Sequence, residues 1–287
     1  MVSQMNSLKS NLKPYLPNSL LTAYQRLRIF SNNLLDLQYW DREKRRLPGL
    51  GWYLHPQAAA SRSSMQKYKD RHKGQRCFII GNGPSLRQMD LGPLNNEFTF
   101  GLNRIYLIFP KHGFSTTYFV SVNRLVIEQC SQEILALTMP RFISWYARDY
   151  LGFAPNLFYV RDPNDGTLGF STDPGKRIWE GATVTYVAMQ LAFYMGFQQV
   201  ILIGVDHSFA TTGVPHKVVT STGNDPDHFD PGYFGKNFRW QLPDLEASEL
   251  FYRQAKQYFE DVGREIVDAT VGGKLNVFRK VEFNTLY

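Results

Sequence analysis

The segment from His207 to Pro243 holds three of the chain's six histidines, His207, His216 and His228, together with Asp225, Asp227 and Asp230. Histidine accepts a proton near neutral pH, so each of the three is a candidate general base. His228 has the fullest setting, "DPDHFDPGYFGKNFRW". Asp227 or Asp230 could orient its ring, Phe229 and Tyr233 could exclude water, and Lys236 and Arg239 could meet a phosphate. His207 or His216 could take the same role. Imidazoles and carboxylates also suit several divalent ions, and "DPD", 225 to 227, has the spacing of a carboxylate pair that holds Mn²⁺ or Mg²⁺. The alternative is a set of turn-forming Asp-Pro steps.

A second constellation is "RCFIIGNGPSLRQMD", 76 to 90, where an apolar run ends on Gly81, Asn82, Gly83 and Pro84. In an open parallel sheet, ligands bind beyond the carboxyl ends of the strands. Gly81 and Gly83 carry no Cβ to block a phosphate or ribose, and Pro84 and Ser85 suit the first turn of a helix whose amides would face the ligand. The motif is no Walker A loop, because the Lys-Ser/Thr pair is missing. Nor is it the full dinucleotide fingerprint, since Leu86 replaces the third glycine. A tight turn with no ligand is the alternative. "TFGLNR" puts Asn103 and Arg104 past another strand, and "ILIGVDHSF" puts Asp206, His207 and Ser208 past a third. "WEGATVTY" would open a helix with Gly181, Thr183 and Thr185.

The elements needed to hold these residues are legible from about residue 75 onward. Short runs at Cys77–Ile80, Phe98–Leu102, Tyr118–Ser121, Phe142–Ser144, Leu157–Val160, Val200–Ile203 and Ile266–Val267 read as strands. Several are apolar on both faces, which implies a mainly parallel sheet under helices. Thr183 to Met195 reads as a helix with one apolar face, stopped by Gly196, and Leu245 to Val262 as a second. The expected fold is therefore α/β and Rossmann-like, with helices on both faces of the sheet and a long structureless lid over about 207–243.

Residues 1–72 read differently. Leu20, Tyr24, Leu27, Phe30, Leu34 and Leu37 recur at helical spacing among Lys9, Lys13, Arg26, Arg28, Arg42, Lys44, Arg45 and Arg46. Such a helix could lie on an anionic membrane through residues 1–47, or pack on its own domain or a second subunit, which leaves a homo-oligomer open. "HPQAAASRSS", 55 to 64, reads as a linker to a catalytic domain over 73–287.

The 287 residues, 43% hydrophobic and 20% charged, exclude a disordered or fibrous chain, and the net charge of +7 favours anionic partners. Two cysteines make neither a disulfide framework nor a metal spacing, and no apolar run reaches the roughly 18 residues of a membrane span. A cytoplasmic protein, at the inner face of the membrane if the N-terminal helix binds it, is the expectation.

In order, "GNGPSL", "GLNR" and "GATVTYVAMQLAFYMGFQQVILIGVDHSF" resemble the MptE-like domain of archaeal 6-hydroxymethylpterin diphosphokinases and Maf-type flagellin glycosyltransferases. The same order is similar to small bacterial sialyltransferases that use CMP-sialic acid. The resemblance spans roughly residues 75–283. It implies that Asn82 and Asn103 contact a nucleotide, that Gly181 to Thr185 line the nucleotide or donor-sugar pocket, and that His228 is the general base. Gly81, Gly83, Ser85 and Asp206 complete the expected nucleotide site. The sialyltransferases place phosphate-binding tyrosines after the Gly-x-Asp strand end, where this chain reads "HSFATTGVPH", so Tyr233, Lys236 or Arg239 would have to supply that contact.

The reading that follows is inverting transfer of a sialic-acid-like sugar from a CMP-activated donor to a glycan or lipid-linked acceptor, with no metal required and no nucleic-acid partner. The competing reading is ATP-dependent pyrophosphate transfer to a hydroxymethylpterin, with Mg²⁺ held by Asp206, Asp225 and Asp227. A third is a non-catalytic nucleotide-binding module.

Overall fold

A computed structural model of the chain describes residues 50–287. Residues 52–163 and 169–287 form one compact unit. Its centre is an eight-stranded, all-parallel sheet: β1 (Arg76–Ile80), β2 (Phe98–Leu102), β3 (Tyr118–Ser121), β4 (Arg141–Ser144), β5 (Leu157–Val160), β6 (Gln199–Ile203), β9 (Glu265–Asp268) and β10 (Arg279–Lys280). The strand order is β10-β9-β6-β1-β2-β3-β4-β5. All seven strands expected from the sequence are present: β2, β3 and β5 with the expected bounds, β1, β4 and β6 one residue longer at the start, and β9 one residue longer at each end.

Alternation of side chains gives the sheet two buried faces. Phe78, Ile80, Phe119, Ile143, Ile201 and Ile203 join one core with Leu86, Ile105, Ile108, Val126 and Ile127 from the connections. The alternate residues Ile79, Val120, Phe142 and Leu202 are equally buried on the other side, where α3 (Val184–Tyr194) crosses β1, β2 and β3. Helix α4 (Leu245–Glu260) packs on α3 and β9 through Phe251, Tyr252, Ala255 and Phe259. The helix expected to start at Thr183 does so, with Thr183 as its N-cap.

Several expectations are corrected. The stretch 55–64 is not a linker: past the N-cap His55 it falls within α1 (Pro56–Met65), whose alanines favour helix and whose start is set by Pro56 and by the His55 Nδ1, which accepts from the Gln57 N–H. Ala58 and Met65 are wholly buried, and the Tyr159 N–H on the outer edge of β5 donates to Ser61 Oγ at 2.9 Å. Helix α1 therefore covers the β5 edge, which would otherwise present unpaired backbone groups. After "GNG" the chain makes a short 3₁₀ turn, Pro84–Gln88, instead of an α-helix. The 207–243 segment is not structureless, because β7 (Val218–Thr220) and β8 (Arg239–Gln241) pair antiparallel within it. The amphipathic stripe over residues 20–37 and its flanking bases lie outside the described residues. Among the described residues no helix is long and apolar enough to cross a membrane.

Candidate functional site

Strand β1 lies between β6 and β2, and the chain runs outward from it first through β2 to β5 and then, on the other side, through β6. A crevice at such a reversal, beyond the carboxyl ends of the strands, is where doubly wound sheets take ligands. The "GNG" loop after β1 and the Gly204–Asp206 segment after β6 flank it.

The two glycines serve the packing of these loops on one another. A Cβ on Gly81 would run into the Gly204 carbonyl, and one on Gly83 into the Asp206 carboxylate. Gly81 N–H donates to Ile203 O at 2.8 Å and Gly83 N–H to Gly204 O at 2.9 Å, so the β1–β6 pairing continues past the strands. The expectation that the helix-start amides face a ligand also changes: Ser85 N–H and Oγ donate to Asp206 Oδ1 and Oδ2, at 3.0 and 2.7 Å. Asp206 thus locks the loop. Burial holds its carboxyl above the usual aspartate range, against the opposing effect of the Ser85 hydrogen bonds.

Asn82 is different. Its side-chain Oδ1 is buried and has no hydrogen-bond partner among the described residues. A buried acceptor left unmade costs about 1–3 kcal/mol, and this one lies in a loop flanking the crevice. Asn103 is in the left-handed region with φ 49°. It donates its backbone N–H to Val120 O, and its Oδ1 accepts from Ser121 Oγ at 3.0 Å, which fixes the side chain at the end of β2.

Over this floor lies the segment that carries His228. Phe229 N–H donates to Asn82 O at 2.9 Å, and Arg87 donates from Nε and Nη2 to the Phe229 and His228 carbonyls at 2.7 and 2.8 Å. The His228 ring, 9% exposed, stacks on Tyr233 with centroids 4.0 Å apart and planes 2° apart, and Phe234 meets it edge-on at 4.8 Å. The orienting carboxylate is Asp225, with its oxygens 2.9 and 3.0 Å from His228 Nδ1, and not Asp227 or Asp230. Asp225 is 6% exposed and also accepts from the Asp227 and Phe234 N–H groups. A carboxylate at Nδ1 fixes the proton there and leaves Nε2 as the basic atom.

The other expected partners are placed elsewhere. Tyr233 is buried: its hydroxyl accepts from the Arg104 N–H at 3.2 Å, its carbonyl accepts from Arg104 Nη1, and burial pushes its phenol well up. It packs the histidine and does not present its hydroxyl to a phosphate. Lys236 is exposed, and Arg239 on β8 lies beside the helix α2 (Arg124–Gln129), with its N–H donating to Gln129 Oε1 and its guanidinium 3.9 Å from Glu128. Asp230 Oδ1 accepts from the Gly232 N–H. Asp227 accepts from Ala210 N–H and from Thr211 N–H and Oγ1, which pins the start of the lid.

His207 pairs with Glu249 at 3.2 Å and His216 with Asp244 at 3.6 Å, so the three histidines do not converge. Among the described residues no three His, Cys, Asp or Glu side chains come together as a metal site. Asp206, Asp225 and Asp227 are each engaged by protein donors.

At the start of α3, Thr183 Oγ1 accepts from the Thr185 N–H at 3.3 Å and from Tyr252 Oη at 3.4 Å. Gly181 has φ +60°, and a Cβ there would meet Tyr186 and Phe251 at about 3 Å. Tyr252 also lies beside His207, with ring centroids 6.3 Å apart, so this helix end and the residues after β6 share one neighbour. Sequence reading passed over Glu180, just before Gly181. Its Oε1 accepts from Ser144 Oγ and its N–H donates to Asp162 Oδ2, both at 2.7 Å. Burial, and then the Asp162 charge, push its carboxyl up to about 8. Nothing in the spacing of Ser144, Asp162 and Glu180 announces that they meet.

Among curated proteins none matches this chain. Of solved structures, a Maf glycosyltransferase from Magnetospirillum magneticum AMB-1 superposes with a TM-score of 0.50 at 16% identity, over 79% of this chain and 39% of that one. This chain thus spans about two fifths of that protein's length, and the likeness is one of fold. A mammalian sialyltransferase in complex with Gal-beta-1-3GalNAc-ortho-nitrophenol has a TM-score of 0.38 at 12% identity, over 83% of this chain and 85% of that one. The family model described as 6-hydroxymethylpterin diphosphokinase MptE-like matches residues 54–212. That match takes in the sheet from β1 to β6, both loops of the crevice and the start of α3, and covers more than half of the chain: the protein belongs to the MptE-like family.

Proposed function

We propose that the protein is a glycosyltransferase that moves a sialic-acid-like sugar from a CMP-activated donor to a glycan or lipid-linked acceptor by inverting displacement. His228 is the general base in this reading. Its Nε2 takes the acceptor hydroxyl proton as that oxygen attacks the anomeric carbon and CMP leaves. Asp225 holds the imidazole in the tautomer that can accept. Asn82 and Asn103 bind the nucleotide, and the α3 start from Gly181 to Thr185 lines the donor pocket. The net positive charge of the chain suits an anionic donor.

The observation that carries this reading is the Asp225–His228 pair, held by Arg87 and Phe229 directly over the loop whose Asn82 Oδ1 lacks a partner. A base poised over an unfilled polar acceptor is the arrangement that acceptor activation beside a bound nucleotide requires. The fold shared with a Maf glycosyltransferase accords with it. The test is release of CMP from a CMP-activated nonulosonate, with and without a galactose-terminated acceptor. Acceptor-dependent release that is lost in His228→Ala is expected; no release by the parent chain sinks the reading.

The family description favours a second reading, ATP-dependent pyrophosphate transfer to a hydroxymethylpterin. It needs a divalent ion, which one or two carboxylates and the ATP phosphates would hold between them. Binding of ATP only in the presence of Mg²⁺, with no binding of CMP, would turn the choice toward it.

A further inference from the structure

Tyr233 turns its hydroxyl to the Arg104 N–H and Arg239 lies 3.9 Å from Glu128, so neither is free for a donor phosphate. Two other arginines beyond the carboxyl ends of the strands are matched by acids, Arg124 by Glu128 at 2.8 Å and Arg148 by Asp149 at 3.7 Å. Arg87 directs Nε and Nη2 to the Phe229 and His228 carbonyls.

Arg104 differs from all of these. It follows Asn103 past the end of β2, it is half-buried, and among the described residues no carboxylate pairs with it. Neutral groups fix the guanidinium instead. Nε donates to Tyr106 Oη at 3.4 Å, Nη1 donates to the Tyr233 carbonyl, and Cζ stands 5.7 Å from the Tyr233 ring centroid and 5.2 Å from that of Phe238. Tyr233 is the ring stacked on His228, and Phe229, next to that histidine, donates its N–H to Asn82 O. The cation therefore belongs to one cluster with the proposed base and the "GNG" loop. Its Nη2 has no partner among the described residues and is not closed off from solvent.

Burial opposes the Arg104 charge, and the side chains that act on it, Tyr106, Cys130 and Tyr233, are neutral at pH 7. A guanidinium drawn partly out of water is offset in full only by an anion. Its planar fork matches phosphate oxygens, and here the outer nitrogen is the one left open.

We infer that Arg104 meets the phosphate of the bound nucleotide through Nη2. A second role rests on the functional reading above: Arg104 also assists departure of CMP. The bond from the anomeric carbon to the phosphate oxygen breaks with its electron pair on that oxygen, while the acceptor oxygen bonds to the carbon and His228 takes its proton. The phosphate passes from one negative charge in the diester to nearly two in CMP, whose second pKa is about 6. The contact therefore strengthens as the bond breaks.

Calorimetric titration of the full chain with CMP and with cytidine, which lacks the phosphate, tests the contact. The parent should bind CMP the more tightly. Arg104→Gln, which keeps a donor for the Tyr233 carbonyl without the charge, should lose CMP affinity on the order of 10- to 100-fold and hold its cytidine affinity. A CMP affinity equal to the parent's, or an equal loss for both ligands, overturns the inference. If Arg104→Gln does not fold, Arg104→Lys decides: an ammonium cannot reproduce the fork, so CMP affinity should fall while cytidine affinity holds, and the same two outcomes overturn the inference. Turnover at saturating CMP-activated donor should fall in the variant as well; unchanged turnover overturns the role in CMP departure. A chain that binds ATP and not CMP removes the functional reading, and the same comparison made with ATP and adenosine then decides the contact. A chain that binds no nucleotide overturns both.

Discussion

The His228 imidazole has Nδ1 committed to Asp225 and its ring stacked on Tyr233, and the proposed reading gives Nε2 the acceptor proton. Replacing His228 by Ala should lower turnover on the order of 10²- to 10⁴-fold with little change in donor affinity, the signature of a lost base, in steady-state kinetics. Asp225→Asn should move turnover in the same direction, because an amide that donates to Nδ1 favours the wrong tautomer; activity within a few fold of the parent for both would remove the assignment. Gly83→Ala is a different kind of test, since the new methyl meets the Asp206 carboxylate. It should destabilise by about 1–3 kcal/mol, read from denaturant unfolding. The glycines, asparagines and His228 were visible in the sequence as types in a pattern. Their partners were not. Whether Asp225, Asp227 or Asp230 reaches the ring depends on the loop path, and spacing alone cannot say that Gly83 makes room for Asp206 and not for a ligand.

At the scale of elements, the strands were legible because burial on both faces leaves runs such as "CFII" and "VILI" with no polar member. Helices α3 and α4 were legible from their apolar periodicity and caps. Helix α1 was not, because its Ala and Ser residues carry little hydrophobic pattern and its position is set by the β5 edge that it covers. The β7–β8 pair escaped for a similar reason: both strands are short and half-exposed, and no tight turn joins them. Ser61→Ala should leave the Tyr159 N–H buried and unpaired, at a cost of about 1–3 kcal/mol, which thermal unfolding would register. A chain begun at residue 73 should fail to fold or should aggregate, since it lacks the buried Trp52, Ala58, Met65 and Tyr68. A soluble, cooperative unfolding transition in that truncation would contradict the role given to α1.

Across the whole molecule, the two acids that burial raises share one sign, while burial lowers the His72 imidazole, whose linkage to stability runs the other way. Glu180 is raised from 4.5 to about 8, and Asp206 is raised as well. An acid raised in the fold contributes stability that is full below its unfolded value and is lost as pH rises through its folded one. Melting temperature should therefore fall between pH 5 and pH 8.5, and Glu180→Gln should reduce that fall on the order of 5 °C; parallel profiles would show that Glu180 carries no such coupling. The central claim concerns the crevice between β1 and β6, where the Asn82 Oδ1 has no partner among the described residues, and it is that a cytidine nucleotide binds there. Isothermal titration of the full chain and of Asn82→Ala with CMP, and with ATP with and without Mg²⁺, tests it most directly. The expected result is CMP binding that needs no Mg²⁺ and weakens on the order of tenfold in the variant, the loss of one good hydrogen bond. Absence of CMP binding, or affinity unchanged by the substitution, would contradict it.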